Sequence, residues 1–224
     1  MTPTTSLDIP VIAIDGPTAS GKGTVAQKVA EHLGYHYLDS GALYRLVGLA
    51  SFKKGISTAS EQELAPIAKN LSVIFQGDRI ILDDEDVSDQ IRQEEMGRRA
   101  SEVAIHPMVR QALVTRQRAF RQKPGLVADG RDMASVIFTD AVTKVYLTAS
   151  AESRAERRYK QLIAKGFSAN IQALLQDLRD RDERDANRSS SPHKAVEGAH
   201  FLDTTSMTIE EAVNQILKWH QLTK

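Results

Sequence analysis

The stretch VIAIDGPTASGKGT, residues 11–24, decides the fold of this chain. Its first part, Val11–Ile14, is a short apolar run that predicts a buried strand, and from Lys22 onward apolar residues recur at every fourth position, which predicts a helix. Between them, Gly16 and Gly21 allow the backbone to curl so that successive N–H groups face inward around an anion. We therefore predict a strand, a phosphate-binding loop (P-loop) and a helix, in that order.

The P-loop is expected to hold the phosphates of a nucleoside triphosphate. The residues expected to contact the triphosphate are Gly16, Pro17, Thr18, Ala19, Ser20, Gly21, Lys22, Gly23 and Thr24. Lys22 can reach the β- and γ-phosphates as a mobile point charge, and the positive end of the following helix adds to the attraction. Loops of this kind usually place Ser or Thr directly after the lysine to bind Mg²⁺, but Gly23 occupies that position here and Thr24 follows. This order favours a contact between Thr24 and Mg²⁺ through a water molecule.

Composition excludes several classes of protein. The chain has 224 residues, with 29 Lys and Arg against 29 Asp and Glu, so it lacks the basic excess of a generic nucleic-acid binder. It has no Cys, which excludes disulfides, cysteine zinc sites and thiol catalysis. No apolar run reaches the roughly 18 residues that span a bilayer, and residues 1–10 do not resemble a signal peptide. We expect a cytoplasmic monomer that binds small molecules and has no nucleic-acid or membrane partner.

The rest of the chain alternates between strand and helix patterns. Strands are predicted at residues 35–38, 126–128, 144–147 and 200–202, and helices at 42–54, 61–69, 93–120 (interrupted at Pro107), 153–165, 171–184 and 208–220. Such alternation predicts an α/β fold, with a parallel sheet between helices, in one domain over residues 1–224. The runs Leu71–Phe75 and Arg79–Leu82 flank Gly77 and Asp78, a hairpin signal that predicts an insertion into this pattern.

Charged residues cluster after predicted strands, where a second anion could bind. Residues 38–45 combine a strand end, a helix start, a hydroxyl group and an arginine, and Asp129 follows a buried strand in the position of an acidic residue near a metal. Within residues 181–188, two arginines and an aspartate at helical spacing share one face. Simpler interpretations stay open at this point, because residues 39–41 could be a helix cap and residues 129–132 a structural loop.

Together these motifs resemble the bacterial cytidylate kinase family, from Ile12 to about Leu217. The resemblance rests on IDGP (residues 14–17) with GKGT (21–24), LDSGA (38–42) with YR (44–45), ADGRDM (128–133) and RDERDANR (181–188). It implies a single P-loop kinase domain that transfers the γ-phosphoryl group of ATP to CMP and dCMP, with Mg²⁺ as cofactor. It also implies that residues 60–107 form an inserted monophosphate-binding region and that residues 157–192 form an Arg-rich lid.

The resemblance also implies roles for individual residues. Ser40, Tyr44, Arg45, Arg131 and Arg188 would surround the acceptor phosphate, Ser101, Arg110 and Asp132 would face the cytosine, and Arg181 and Asp185 would face the sugar. The catalytic residues would be Lys22, Arg131 and Arg188, with Thr24 and Asp129 near Mg²⁺. An aspartate carboxylate can accept a hydrogen bond from the amino group of cytosine, whereas uracil presents an acceptor there and would be repelled. Residues 134–135 and 189–193 depart from the family pattern.

Two other functions stay open at this stage. A P-loop kinase for another small acceptor, such as a different nucleotide or a hydroxylated acid, would share the same loop. A nucleotide-dependent switch or a nucleic-acid-binding protein would share it too. Against that class stand Gly23 after the lysine, the neutral net charge and the lack of an Asn-Lys-x-Asp run. The sequence therefore favours phosphoryl transfer to a small acceptor.

Overall fold

The structure is a computed structural model that describes residues 9–76, 79–164, 166, 168–186 and 195–223. The chain divides into two compact units, the first formed by residues 1–38 and 120–224 and the second by residues 39–119. The segment 60–107, predicted to be an insertion, lies inside the second unit. None of the helices in the described ranges has both the length and the apolar character needed to cross a membrane.

Strands and helices alternate along the chain, and the predicted α/β fold is confirmed. The strands are β1 (Val11–Asp15), β2 (His36–Asp39), β3 (Val73–Gln76), β4 (Arg79–Leu82), β5 (Glu85–Asp86), β6 (Leu126–Gly130), β7 (Thr143–Thr148) and β8 (His200–Asp203). The helices are α1 (Lys22–Leu33), α2 (Ser40–Lys53), α3 (Glu61–Lys69), α4 (Glu94–Val103), α5 (Pro107–Arg118), α6 (Ala151–Ala164), α7 (Ile171–Ala186) and α8 (Ile209–Gln221). The predicted interruption at Pro107 separates α4 from α5, because proline suits the first turn of a helix, where its missing N–H is not needed.

The first unit is built on a five-stranded sheet with strand order β2-β6-β1-β7-β8. Strand β1 pairs in parallel with β6 and with β7, and β7 pairs in parallel with β8. Every residue of β1 and β6 is buried, which explains why both are continuous apolar runs up to their last residues. Val25 of α1 and Ile216 of α8 share one buried cluster with Ile14, so these two helices cover one face of the sheet.

The register of this sheet brings the ends of β1 and β6 together at one edge. Asp15, the last residue of β1, lies opposite Gly130 of β6 and Tyr146 of β7. Because the strands are parallel, the loops that follow β1 and β6 leave the sheet from the same edge. The P-loop and the turn that begins at Arg131 are therefore neighbours.

Asp15 joins these two loops. Its carboxylate accepts hydrogen bonds from the backbone N–H groups of Met133 and Ala134, at 2.8 and 2.9 Å. Burial raises the pKa of Asp15 from 3.8 to about 6, and the two N–H groups oppose that shift. The hydrogen bonds hold the start of a π-helical segment, Met133–Ile137, which the sequence pattern did not predict. Since Asp132 directly precedes this segment, these hydrogen bonds also hold the backbone next to Asp132.

Gly16 lies so close to β7 that only glycine fits. A Cβ atom at this position would lie 1.9 Å from the backbone carbonyl oxygen of Leu147. The N–H of Gly16 donates to the carbonyl oxygen of Gly130 at 3.3 Å. The start of the P-loop is thus held against both neighbouring strands, β6 and β7.

The second unit contains an antiparallel sheet, β3-β4-β5, and helices α2 to α5. The pairing of β3 with β4 runs from Val73 opposite Leu82 to Gln76 opposite Arg79. The two strands of the predicted hairpin are therefore confirmed, while its turn, residues 77–78, lies outside the described residues.

Helices α2 and α4 of this unit pack closely at Gly48. A Cβ atom on Gly48 would lie 3.0 Å from the Cβ of Arg99, so a larger residue would push the helices apart. Arg99 also donates to the carbonyl oxygen of Gly48 at 3.2 Å and to the hydroxyl of Ser51 at 3.3 Å. These contacts fix α4, which carries Ser101, against α2, which begins at Ser40.

We expect Asp15→Asn to change how stability depends on pH. A carboxyl group with a raised pKa holds its proton more tightly in the folded protein. Its contribution to stability is therefore complete below pH 3.8 and is lost as the pH rises through about 6. The free energy of unfolding of the native chain, minus that of Asp15→Asn, should fall by about 2 kcal/mol between pH 4 and pH 7. Urea unfolding at a series of pH values measures both quantities.

Asp203→Asn is the control for the sign of this effect. Hydrogen bonds from Thr205 lower the pKa of Asp203, so the corresponding difference should grow, not fall, as the pH rises. If the unfolding free energies of the native chain and Asp15→Asn changed in parallel with pH, they would contradict a raised pKa of Asp15 in the folded protein.

Candidate active site

The P-loop backbone has the shape of an anion site. Ala19 and Gly21 have positive φ angles, 56° and 89°, so the chain curls tightly between β1 and α1. Gly21 precedes α1 without a side-chain cap, and no acidic residue lies in the first turn of this helix. The N–H groups at the start of α1 are therefore not consumed by a capping side chain, and its positive end is not neutralised by its own residues.

Two polar side chains belong to this loop. Lys22 is 9% exposed, and its ammonium group folds back to donate to the carbonyl oxygen of Pro17 at 3.3 Å. The hydroxyl oxygen of Ser20 is buried and has no hydrogen-bond partner within the described part of the chain. Buried hydroxyl groups are normally paired, so a phosphate oxygen would complete the hydrogen bonding of Ser20. These residues fit the triphosphate that the sequence predicted for the loop.

Asp129 lies on β6, close to the start of α1. Its carboxylate is buried and accepts a hydrogen bond from the hydroxyl of Tyr37 at 2.8 Å. A Cβ atom at Gly23 would lie 3.5 Å from that hydroxyl and 3.9 Å from Oδ2 of Asp129. The position directly after the P-loop lysine therefore faces Asp129, whereas Thr24 is exposed.

These residues fit a Mg²⁺ ion that is bound mainly by a nucleotide. In the ranges that the structure describes, no three Asp, Glu or His side chains form a cluster that could hold a metal ion. Mg²⁺ usually keeps several waters and takes only one or two carboxylates besides the phosphates of its substrate. The carboxylate of Asp129 lies beside the P-loop, close to Gly23, and could be one of these.

Arg131 and Asp185, two of the predicted acceptor residues, form an ion pair. Nε of Arg131 donates to Oδ2 of Asp185 at 2.8 Å, with 20% and 4% of the two side chains exposed. Burial by itself lowers the pKa of Arg131, but the carboxylates of Asp185 and Asp129 more than offset this effect and raise it. Arg131 therefore stays positively charged after β6, beside the P-loop.

The other predicted acceptor residues of the first unit belong to the same two segments. Asp132 is buried directly after Arg131. Arg181 is half-buried on α7, four residues before Asp185 and therefore on the same helix face. Arg188 lies outside the described residues.

The second unit holds the remaining five. Three of them lie on the first turns of α2, where Ser40 and Tyr44 are buried and Arg45 is half-buried. Asp39 caps this helix, because its Oδ1 accepts from the N–H of Ala42 at 3.0 Å. The helix-cap interpretation of residues 39–41 is thus confirmed for Asp39, and it leaves the hydroxyl of Ser40 to other roles.

Ser101 of α4 and Arg110 of α5 complete the set. Both are buried, with 7% and 9% of their surface exposed. Nη1 of Arg110 donates to the carbonyl oxygen of Ala104 at 3.3 Å, where α4 ends. His106 in the same connection has Nε2 at 2.7 Å from the carbonyl oxygen of Thr58, which anchors the connection.

Sequence reasoning missed several residues that organise the site. Asp15 belongs to the IDGP motif, but the sequence assigned it no role of its own, and Tyr37 looked like an ordinary strand residue. The arginines of α6 were visible as an Arg-rich helix, but nothing local indicated that Arg154 and Arg157 donate to backbone carbonyl oxygens of the P-loop.

Comparison with known proteins identifies relatives of this chain. The family model described as Cytidylate kinase matches residues 12–222. A cytidylate kinase of Polynucleobacter asymbioticus is 62% identical over 213 residues, which cover 95% of this chain and 97% of the relative. A cytidylate kinase of Burkholderia ambifaria is 59% identical over 212 residues, which cover 95% and 93%.

A solved structure supports the fold alone. The crystal structure of an uncharacterized protein from Eubacterium ventriosum matches with a TM-score of 0.52 at 15% identity, covering 95% of this chain and 98% of that protein. The family match is much stronger, since it includes both the P-loop and the segment of α7 that holds Asp185. The resemblance predicted from the sequence is confirmed, and the chain belongs to the cytidylate kinase family.

Proposed function

We propose that this chain transfers the γ-phosphoryl group of ATP to CMP and dCMP, and so produces ADP with CDP or dCDP. The observation that carries the proposal is the family match over residues 12–222, together with close relatives named cytidylate kinase. The geometry supports it, because the reaction needs an anion site for the donor and a fixed cation for the acceptor. The P-loop supplies the first and the Arg131–Asp185 pair supplies the second.

On the donor side, the P-loop holds the triphosphate through its N–H groups and Lys22. The ammonium group of Lys22 would exchange its contact with Pro17 for the β- and γ-phosphates. It then offsets negative charge on the transferring phosphoryl group. Catalysis of phosphoryl transfer consists mainly of positioning and such charge stabilisation.

On the acceptor side, the attacking atom is a phosphate oxygen of CMP, which is already anionic at neutral pH. It forms a bond to the γ-phosphorus while the bond from that phosphorus to the β–γ bridging oxygen breaks, and ADP leaves. No proton has to be removed before the attack, so the site needs no general base. The residues proposed to surround the acceptor phosphate are Ser40, Tyr44, Arg45, Arg131 and Arg188.

The remaining assignments follow the same proposal. Arg181 and Asp185 are proposed to face the sugar, and Ser101, Arg110 and Asp132 the cytosine. Mg²⁺ would supply further neutralisation of the phosphates when bound, next to Asp129 and, through water, Thr24. A monomeric, cytoplasmic enzyme with no nucleic-acid partner stays a prediction from the sequence.

An assay that couples ADP release to a spectroscopic signal tests the proposal across the common nucleoside monophosphates. CMP and dCMP should give the highest kcat/KM, because an aspartate facing the base favours the amino group of cytosine. Turnover with another acceptor but not with CMP would overturn the proposed substrate and leave a P-loop kinase of different specificity.

Lys22→Ala should lower kcat by about 100-fold or more, because it removes a charge that acts on the transferring phosphoryl group. The fold should survive, since the hydrogen bond from Lys22 to Pro17 lies within the loop and the substitution leaves the glycines of the loop in place. Lys28→Ala is the matched control on α1, where an exposed lysine pairs with Glu210 at 3.2 Å. Steady-state kinetics of both variants give the two kcat values. A near-normal kcat for Lys22→Ala would contradict the proposed contact of Lys22 with the phosphates of ATP.

Asp132→Asn should reduce kcat/KM for CMP by about tenfold to a few hundredfold, because the carboxylate that accepts from the cytosine amino group becomes an amide. UMP should lose much less, or gain, since its O4 atom needs a donor. The ratio of the two kcat/KM values is the quantity to measure, because it cancels any general loss of folding. A parallel fall for CMP and UMP would mean that Asp132 positions Arg131 and does not select the base.

A further inference from the structure

The P-loop can direct its N–H groups inward only if some of its carbonyl groups point outward, because the two groups of a peptide unit lie on opposite sides. Buried carbonyl groups need hydrogen-bond donors. Helix α6 supplies them, since Nη1 of Arg154 donates to the carbonyl oxygen of Thr18 at 3.0 Å and Nη1 of Arg157 donates to that of Ser20 at 3.1 Å. The outer side of the loop is thus held by two arginines.

Arg154 is the more buried of the two, with 4% of its surface exposed. Its Nε donates to the carbonyl oxygen of Ala149 at 3.0 Å, so the guanidinium group is held at both ends. A buried guanidinium group also needs a counter-charge. Asp182 of α7 provides it, because both of its carboxylate oxygens accept hydrogen bonds from Arg154, Oδ1 from Nη1 at 3.1 Å and Oδ2 from Nη2.

We propose that Asp182 is a positioning residue for the P-loop, and that it acts through Arg154. The two-pronged contact fixes the plane of the guanidinium group, and that plane directs Nη1 at the carbonyl oxygen of Thr18. Without the carboxylate, the guanidinium group turns toward water and the Thr18 carbonyl loses its donor. The loop then holds a triphosphate less well, although Asp182 itself touches no loop atom in the contacts described.

Asp182 differs in this role from Asp185, its neighbour on the same helix. The two residues lie three apart on α7 and share a face. Asp185 holds Arg131, which follows β6, whereas Asp182 holds Arg154, which contacts the P-loop. A defect at Asp182 should therefore affect the donor nucleotide, and one at Asp185 the acceptor.

Isothermal titration calorimetry with ADP on the full chain tests the proposal. Asp182→Asn and Arg154→Lys should each weaken ADP binding by about tenfold, since each disturbs a hydrogen bond to a charged group. The double variant should bind ADP no more weakly than Arg154→Lys alone, because Asp182 is proposed to affect ADP binding only through Arg154. The matched control is Asp180→Asn. The carboxylate of Asp180, on the same helix, accepts a hydrogen bond from Gln176 at 2.7 Å, and the ADP affinity of this variant should not change.

Kinetics and a second substitution separate positioning from a loss of folding. Asp182→Asn should raise KM for ATP while KM for CMP stays within about twofold, whereas a partly unfolded protein would lower the binding stoichiometry and leave both KM values alone. Asp182→Glu keeps the charge and should retain most of the ADP affinity.

Several outcomes would overturn the proposal. They are unchanged ADP affinity in Asp182→Asn, additive losses in the double variant, an equal loss in Asp180→Asn, or a loss in Asp182→Glu as large as that in Asp182→Asn. The inference rests on the proposed function only in that the P-loop binds adenine nucleotides. Because the ADP titration contains no CMP, failure of the CMP kinase assignment and failure of this inference give different results.

Discussion

The parallel pairing of β1 with β6 is the constraint on which the rest of the site depends. It sets Asp15 opposite Gly130, so a buried carboxylate at the end of one strand receives two N–H groups from the turn that follows the other. A shift of one residue in this pairing would turn Asp15 to the opposite face, because side chains alternate along a strand. The P-loop and the turn after β6 would then lose the group that joins them. The close approach of Gly16 to β7 also helps to fix the start of the P-loop, since the backbone there packs directly against the carbonyl oxygen of Leu147.

Charge around the loops is balanced pair by pair. Helix α7 presents Asp182 to Arg154 and Asp185 to Arg131, so each of these arginines has a carboxylate partner before any nucleotide arrives. This arrangement explains how a protein of zero formal net charge can offer cationic groups to phosphates. An unpaired buried guanidinium group would be costly, and pairing also fixes the direction of its N–H groups. The placement of individual charged side chains, not the net charge of the chain, therefore decides whether the site can bind an anion.

Much of the fold could be predicted because its signals are local. The apolar run of β1, the two glycines of the P-loop and the four-residue spacing of α1 all lie within one short stretch, and the break before Pro107 follows from proline chemistry. The π-helical segment after Asp132 could not be predicted, since two of its N–H groups donate to Asp15, which lies more than a hundred residues earlier in the sequence. The same holds for Tyr37, whose hydroxyl meets Asp129 across 92 positions of the sequence.

The sequence by itself determined the order of strands and helices, the P-loop and the family, because these depend on residue types at short, regular spacing. Only the tertiary structure decided what the individual charged side chains do. Several arginines lie on α6 and look alike in the sequence, yet one of them, Arg154, reaches the carbonyl oxygen of Thr18 from 136 positions away. Periodicity constrains neighbours within a turn or two, whereas a hydrogen bond between distant segments exists only once the sheet and its helices have brought them together.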